Sequence, residues 1–76
     1  MYKVELEMSN DQRSFGVYDT FEEAKREYHR LIGWSLTEGR MTTFPVVPWG
    51  VWFKDLRGPR PTVVDFFEIE GVHDER

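Results

Sequence analysis

The chain has 76 residues, which is enough for one small domain and too few for two. It has no cysteine and two histidines, so disulfide bonds, cysteine-ligated zinc and a histidine-only structural metal site are all excluded. The net charge of −4 argues against nucleic acid as the main ligand.

No stretch of the sequence is predicted to cross a membrane, because none approaches the roughly 20 apolar residues that a spanning helix needs. The first residues do not read as a signal peptide either, since no basic region is followed by an apolar run. We therefore expect a cytoplasmic protein with no membrane partner, which the absence of cysteine fits. Residues 1–76 are expected to form one domain, with a short polar tail at residues 71–76.

The first eighteen residues predict a β-hairpin. Apolar and polar residues alternate strictly from Tyr2 to Met8, which indicates a strand with one buried face and one face in water. Glu5 and Glu7 would lie on the wet face. Residues 9–12 have the composition of a turn, and residues 14–18 form the second strand.

A helix is predicted to follow the hairpin. Thr20 can accept hydrogen bonds from the first free amides, and Glu23 can complete a capping box with it. Apolar residues recur at helical spacing as far as Leu36. Gly33 interrupts this pattern, so the helix ends either there or just before Gly39. The apolar stripe favours the longer helix.

The second half of the sequence is rich in strand-forming residues. Met41–Phe44 favours β structure, but Pro45 and Pro48 exclude a regular central strand, so we expect an irregular edge segment here. Strands are predicted at Gly50–Asp55 and Thr62–Ile69, joined by a rigid turn that contains a glycine and two prolines. The predicted fold is α+β, of the type ββαββ with room for one further strand. One amphipathic helix packs on one face of an antiparallel sheet.

The last two strands carry apolar side chains on both faces. Because neighbouring residues of a strand point to opposite faces, Trp52 points away from Val51 and Phe53. Strict alternation divides the final strand in the same way, with Val64 and Phe66 on one face and Val63, Phe67 and Ile69 on the other. One helix cannot cover both faces. We expect the second face to be covered by the segment Phe44–Trp49, by a second copy in a homodimer, or by an unidentified protein partner.

Five residues are the candidate partner-binding residues: Trp49, Trp52, Lys54, Arg57 and Arg60. Protein interfaces are enriched in aromatic residues and arginine, which often supply the binding anchors. Trp49 stands between a proline and a glycine, and we expect this to hold its side chain at the surface, outside the strand ladder. The alternative is that it folds back over the second sheet face. Trp52 is either core or interface.

The basic residues around the last turn leave two other functions open. Lys54, Arg57 and Arg60 on a stiff loop suit a phosphate or an acidic patch. One alternative is therefore a small anionic ligand such as a nucleotide, and the other is single-stranded nucleic acid that stacks on the aromatic residues. The sequence contains no nucleophile motif and no phosphate-binding loop. We accordingly expect no enzyme activity, no cofactor and no metal.

The segment Phe15–Leu31 resembles a pattern found in very small phage-encoded accessory proteins. In that pattern a short strand leads into a capped helix with Phe, Ala and Tyr on its buried face. Gly50–Ile69 resembles the strand–turn–strand that follows. The two prolines at 45 and 48 and the three tryptophans depart from the pattern. The resemblance implies an accessory protein that binds and inhibits a host or defence protein in the host cytoplasm, and it assigns no site residue.

Overall fold

The computed structural model describes residues 1–42 and 45–69, and the predicted tail at residues 71–76 lies outside them. The described residues form strands β1 (Tyr2–Met8) and β2 (Arg13–Tyr18), helices α1 (Phe21–Leu36) and α2 (Gly39–Thr42), and strands β3 (Pro48–Asp55) and β4 (Thr62–Glu68). The four strands make one antiparallel sheet in the order β2-β1-β3-β4, with α1 packed on one face. The predicted α+β fold is confirmed.

The predicted hairpin is confirmed together with its turn. β1 and β2 pair from Tyr2 opposite Tyr18 to Glu7 opposite Arg13. In the turn, the N–H of Gln12 donates a hydrogen bond of 3.1 Å to the side-chain oxygen of Asn10, and Asp11 adopts a left-handed φ of 72°. Asn and Asp tolerate these conformations better than most residues, because their short polar side chains bond to the local backbone.

Helix α1 begins and ends where the sequence predicts. The Thr20 hydroxyl accepts a hydrogen bond of 3.2 Å from the N–H of Glu23, which satisfies one of the free amides of the first turn. The Glu23 carboxylate accepts from the Thr20 hydroxyl at 3.4 Å, so the two side chains bond to each other. The helix continues through Gly33 to Leu36, as the longer prediction has it. Neither helix among the described residues is long and apolar enough to cross a membrane.

The segment after α1 is helical, and the predicted edge segment starting at Met41 is wrong. The N–H of Met41 donates to the carbonyl of Glu38 at 3.0 Å and closes a turn. Gly39 is buried against the Trp34 ring, so close that a Cβ there would lie 2.6 Å from Trp34 Cζ3. This contact with α1 overrides the weak β preference of the local sequence, which depends strongly on context. Phe44, the end of that prediction, lies outside the described residues.

Strand β3 is a central strand and begins at Pro48, two residues earlier than predicted. A proline fits the first position of a strand, where its missing N–H disrupts little of the ladder. Pro48 pairs with Met8 while Gly50 pairs with Glu7, so Trp49 is the extra residue of a β-bulge. Its carbonyl accepts a hydrogen bond of 2.9 Å from the N–H of Ile69. Trp49 is thus part of β3 but forms a bulge outside the regular register with β1, and its side chain is half-buried.

The core lies between α1 and the two central strands. It consists of Val4, Leu6, Ala24, Tyr28, Val51 and Phe53. The rings of Tyr28 and Phe53 are 5.5 Å apart. Burial, with a smaller contribution from Asp65 on β4, raises the pKa of the Tyr28 hydroxyl to about 12. Within the described residues, no helix lies on the other face of the sheet.

Candidate functional site

The sheet face opposite α1, here called the open face, carries its side chains in three rows. Each row crosses the sheet in the order β2, β1, β3, β4. The acidic row is Arg13, Glu7, Gly50 and Glu68. The aromatic row is Phe15, Glu5, Trp52 and Phe66. The basic row is Val17, Lys3, Lys54 and Val63. The aromatic row lies between the other two.

Three aromatic rings gather at the β3–β4 end of the open face. The ring centroids of Trp52 and Phe66 are 4.2 Å apart, and those of Trp49 and Phe66 are 5.7 Å apart. Gly50 makes this arrangement possible, because a Cβ there would come within 2.6 Å of the Phe66 ring. The Phe66 ring therefore lies directly over the backbone of β3, beside both tryptophans. Both candidate tryptophans are half-buried and contact this ring.

Phe15 is the aromatic residue at the opposite end of the row, and it was absent from the predicted site. Its side chain is 64% exposed, and Lys3 Nζ lies 5.0 Å above the ring in a cation–π arrangement. The signal for it was present in the sequence. In a strand whose Tyr18 faces the core, Phe15 and Val17 must lie on the opposite face.

Glu5 and Glu7 are buried, at 6% and 9% exposure, so the prediction that they lie in water is wrong. Long side chains from the neighbouring strands reach across and cover them. Glu5 accepts a hydrogen bond of 3.0 Å from Lys54 Nζ, and Glu7 accepts one of 3.1 Å from Trp52 Nε1. The guanidinium of Arg13 lies 3.5 Å from each of the two carboxylates. Alternation in the sequence identifies the sheet face on which a residue lies, but it does not show whether side chains of neighbouring strands cover that residue.

The Glu5 carboxylate is held in its charged form by these neighbours. Burial raises the pKa of Glu5. The hydrogen bond from Lys54 and the positive charges of Lys54, Lys3 and Arg13 lower it by more, so the net pKa is below the ordinary 4.5. At neutral pH the open face therefore has three cations, Lys3, Arg13 and Lys54, and three carboxylates, Glu5, Glu7 and Glu68. The face is neutral, whereas the whole chain has a net charge of −4.

A β-bulge in β4 changes which apolar residues reach the open face. Asp65 pairs with Phe53 and Val63 pairs with Lys54, so Val64 is the extra residue. Strict alternation predicts Val63 on the same face as Phe67, which is wrong, because the bulge brings Val63 opposite Lys54 on the open face. Val63 and Val64 are both exposed.

The basic residues around the last turn do not meet at one anion site. Lys54 is bonded to Glu5 on the open face. Arg57 donates two hydrogen bonds to Asp55, at 3.0 Å and 2.8 Å, and its guanidinium lies 5.5 Å over the Tyr2 ring on the helix side of the sheet. Arg60 is exposed in the turn. At Lys54 and at Arg57 an anion would have to compete with the carboxylate already bound there.

A groove of about 240 Å³ lies between β2 and α1, near Gly16 and Tyr18. Its charged lining residues are Glu27 and Arg30, and Arg30 Nε donates to the Glu27 carboxylate at 2.8 Å. The groove is smaller than the roughly 300–1,000 Å³ typical of small-molecule sites. Its two charged groups neutralise each other and leave no charge for a ligand.

The histidine within the described residues lies on the surface of helix α1. His29 is exposed, with its ring 5.6 Å from that of Tyr28. Within residues 1–42 and 45–69, no three side chains of the metal-binding types come together as a group that could hold an ion. Comparison of the chain with models of protein families, with curated proteins and with solved structures found no match.

Proposed function

We propose that this chain is a non-catalytic protein-binding module and that the open face is its docking surface. The observation that carries this proposal is a set of apolar side chains on a sheet face that no helix of the described residues covers. Val63, Val64 and the half-buried rings of Trp52 and Phe66 lie on β3 and β4, while Phe15 and Val17 lie on β2, beyond Glu5 and Lys3. Apolar patches rimmed by charged groups on a small domain mark interaction sites, because water contact with them is unfavourable.

The charged groups of the open face support docking because they are already paired. Glu5 and Glu7 have partners in Lys54, Arg13 and Trp52 before any protein arrives. Burying an unpaired charge is strongly unfavourable, whereas a hydrogen-bonded pair retains its partner when water is excluded. A partner can therefore cover the face without leaving a carboxylate unsatisfied.

The aromatic rings support docking because they are held in place before binding. Trp52 and Phe66 stack on each other, and the contact of Phe66 with the Gly50 backbone restricts its ring. Side chains that are already ordered lose little conformational entropy on binding. Aromatic residues fixed near the centre of a surface are the usual anchors of protein interfaces.

We place this function in the cytoplasm, because a chain without cysteine suits a reducing compartment. The resemblance of Phe15–Leu31 to small phage accessory proteins supports a form of the function in which docking inhibits a host or defence protein. Inhibition then follows if the docked protein loses access to a surface that it needs.

The test is to replace Phe15 by the photo-crosslinking residue benzoylphenylalanine in cells that produce the protein. Phe15 is exposed, so the larger ring is expected to be compatible with folding. The matched control carries the same residue at Met41, which is 80% exposed on α2, outside the open face. We expect a discrete protein adduct from position 15 and none from position 41. Failure to obtain a discrete adduct from position 15 would contradict the proposal, as would the same adduct from both positions.

A further inference from the structure

The open face is complementary to itself. The basic row contributes two positive charges from Lys3 and Lys54, and the acidic row has one net negative charge from Arg13, Glu7 and Glu68. The aromatic row lies between them, separated from each by two residues along the strand, or about 7 Å. Opposite charges thus flank a central row of aromatic rings, which also contains Glu5 paired with Lys54.

A two-fold axis along the aromatic row would place a second copy face to face with the first. Each strand then lies over the same strand of the other copy, running the opposite way. The aromatic row meets itself, so that Trp52 meets Trp52 of the second copy, and Glu5, which is bonded to Lys54 of its own chain, meets Glu5. The basic row of each copy meets the acidic row of the other, and Lys3 on the central strand β1 faces Glu7 of the second copy. Because the axis is two-fold, this contact occurs twice in each dimer.

We propose that the partner of the open face is a second copy of this chain, bound about this two-fold axis. The proposal rests on the proposed function, because it names the occupant of the same docking surface. Charge is compatible with this arrangement. The open face is neutral, so two copies can meet there without net electrostatic repulsion, although the chain as a whole has a net charge of −4.

The size of the face sets the expected strength of the dimer. Four strands about 4.8 Å apart and six residues of about 3.4 Å each give a face of about 19 by 20 Å, or about 400 Å² in projection. Two such faces give about 800 Å² in projection, which is below the roughly 1,200–2,000 Å² of stable specific interfaces and indicates a weak, transient dimer. The dimer is therefore expected to dissociate on dilution in the micromolar range.

Two charge-reversal variants test the geometry. In Lys3→Glu the new carboxylate faces Glu7 of the second copy, and in Glu7→Lys the new ammonium faces Lys3. Each variant alone is therefore expected to be monomeric in sedimentation experiments where the wild type is dimeric. An equimolar mixture brings opposite charges together at both contacts, so we expect it to form a heterodimer. A mixture that stays monomeric although both variants are folded, or two variants that dimerise as the wild type does, would overturn the proposal.

Glu7→Lys also removes the acceptor of Trp52 and a partner of Arg13, and this variant has to be checked for folding by circular dichroism. If it does not fold, cysteine crosslinking supplies the second measurement, since the chain has no cysteine of its own. Phe15→Cys lies on the proposed axis, and Met41→Cys lies on α2. A short bis-maleimide reagent is expected to link two copies through position 15 and not through position 41. The absence of a link through position 15 would contradict the proposal.

The outcome for the dimer is separable from the outcome for docking. If the wild type is monomeric at every concentration and the photo-crosslinker at position 15 captures a different protein, the dimer is wrong and the docking function stands. If the wild type is monomeric and nothing is captured, both are wrong. A dimer that Lys3→Glu leaves intact uses another surface, and it likewise overturns the inference.

Discussion

The two faces of the sheet are buried in different ways, and strand β1 shows both. Val4 and Leu6 face helix α1 and belong to the buried apolar core. Glu5 and Glu7, on the same strand, are buried almost as deeply by side chains that reach over from β2 and β3. A small chain can therefore bury a central strand on both sides with a single helix. This requires that the charged residues on the second side form ion pairs or hydrogen bonds with side chains of the neighbouring strands.

The difference separates a face that stabilises the fold from a face available for binding. The helix side excludes water from aliphatic and aromatic groups, which is the main favourable contribution to folding. The open face leaves large apolar groups partly in water, with Phe15 the most exposed of its aromatic rings. Substitutions on the two faces are expected to affect different measurements.

The largest expected effect is on stability, from a phenylalanine on the helix side. Phe53 is 2% exposed and contacts the rings of Tyr28, Phe21 and Tyr2. Phe53→Ala should lower the free energy of unfolding by about 3–5 kcal/mol, through lost burial and the cavity left behind. That loss is comparable to the whole stability of a small domain. The matched open-face variant Phe15→Ala should change it by less than about 0.5 kcal/mol. Urea denaturation monitored by circular dichroism measures both, and equal losses would remove the distinction between the faces.

The next effect is on binding, from the centre of the aromatic row. Truncation of Trp52 to alanine removes an anchor that lies on the proposed two-fold axis and contacts the Phe66 ring. We expect affinity to fall by at least about 2 kcal/mol, or about thirtyfold. Analytical ultracentrifugation gives the dissociation constant, and thermal denaturation gives the accompanying loss of stability. Leu36→Ala, on the helix surface, is the control and should leave affinity unchanged. Unchanged affinity of Trp52→Ala would show that the aromatic row is not the interface.

A smaller effect tests whether the helix that covers one face depends on its cap. Thr20→Ala removes the hydroxyl that accepts from the N–H of Glu23. The free energy of unfolding should fall by about 1 kcal/mol, while Thr20→Ser, which keeps the hydroxyl, should lose much less. Chemical denaturation of the three proteins measures the difference. If alanine and serine behave alike, the hydroxyl does not stabilise the first turn.

The smallest expected effect concerns acid and the buried carboxylate of the open face. The pKa of Glu5 is lower in the folded chain than its ordinary 4.5, because Lys54, Lys3 and Arg13 outweigh burial. Its charged form therefore stabilises the fold fully above about pH 4.5, and the contribution is lost as the pH falls through the lowered pKa. The stability of wild type relative to Glu5→Gln should accordingly shrink in acid. A difference that is constant from neutral pH to below pH 4 would mean that Glu5 is not held ionised by its neighbours.

The sequence predicts the architecture well where the signal is local. Alternation from Tyr2 to Met8 and the Thr20 cap depend on neighbouring residues, and both are confirmed. It fails where distant contacts decide, as at Gly39 under the Trp34 ring and at Pro48 in a central strand. The β4 bulge is likewise set by pairing with β3, which the spacing of residues does not reveal.

The candidate site was predictable in part for the same reason. The opposite orientations of Trp52 and Phe53 follow from alternation, and they point correctly to a second apolar face. Alternation along β2 also predicts that Phe15 lies on the open face, because Tyr18 on the same strand faces the core. The burial of Glu5 could not be predicted from the sequence, because it depends on Lys54 and Arg13, which lie on the two strands beside β1.

The bulge at Val64 also bears on aggregation. β4 is an edge strand in which β-branched and aromatic residues predominate, and its charged residues are Asp65 and Glu68. A straight edge strand offers its free amide and carbonyl groups to strands of other molecules. The extra residue interrupts the regular spacing of amide and carbonyl groups along the outer edge, so an incoming strand can match only one half of it. We expect deletion of Val64, which restores a regular edge, to yield a chain that precipitates more readily than the wild type.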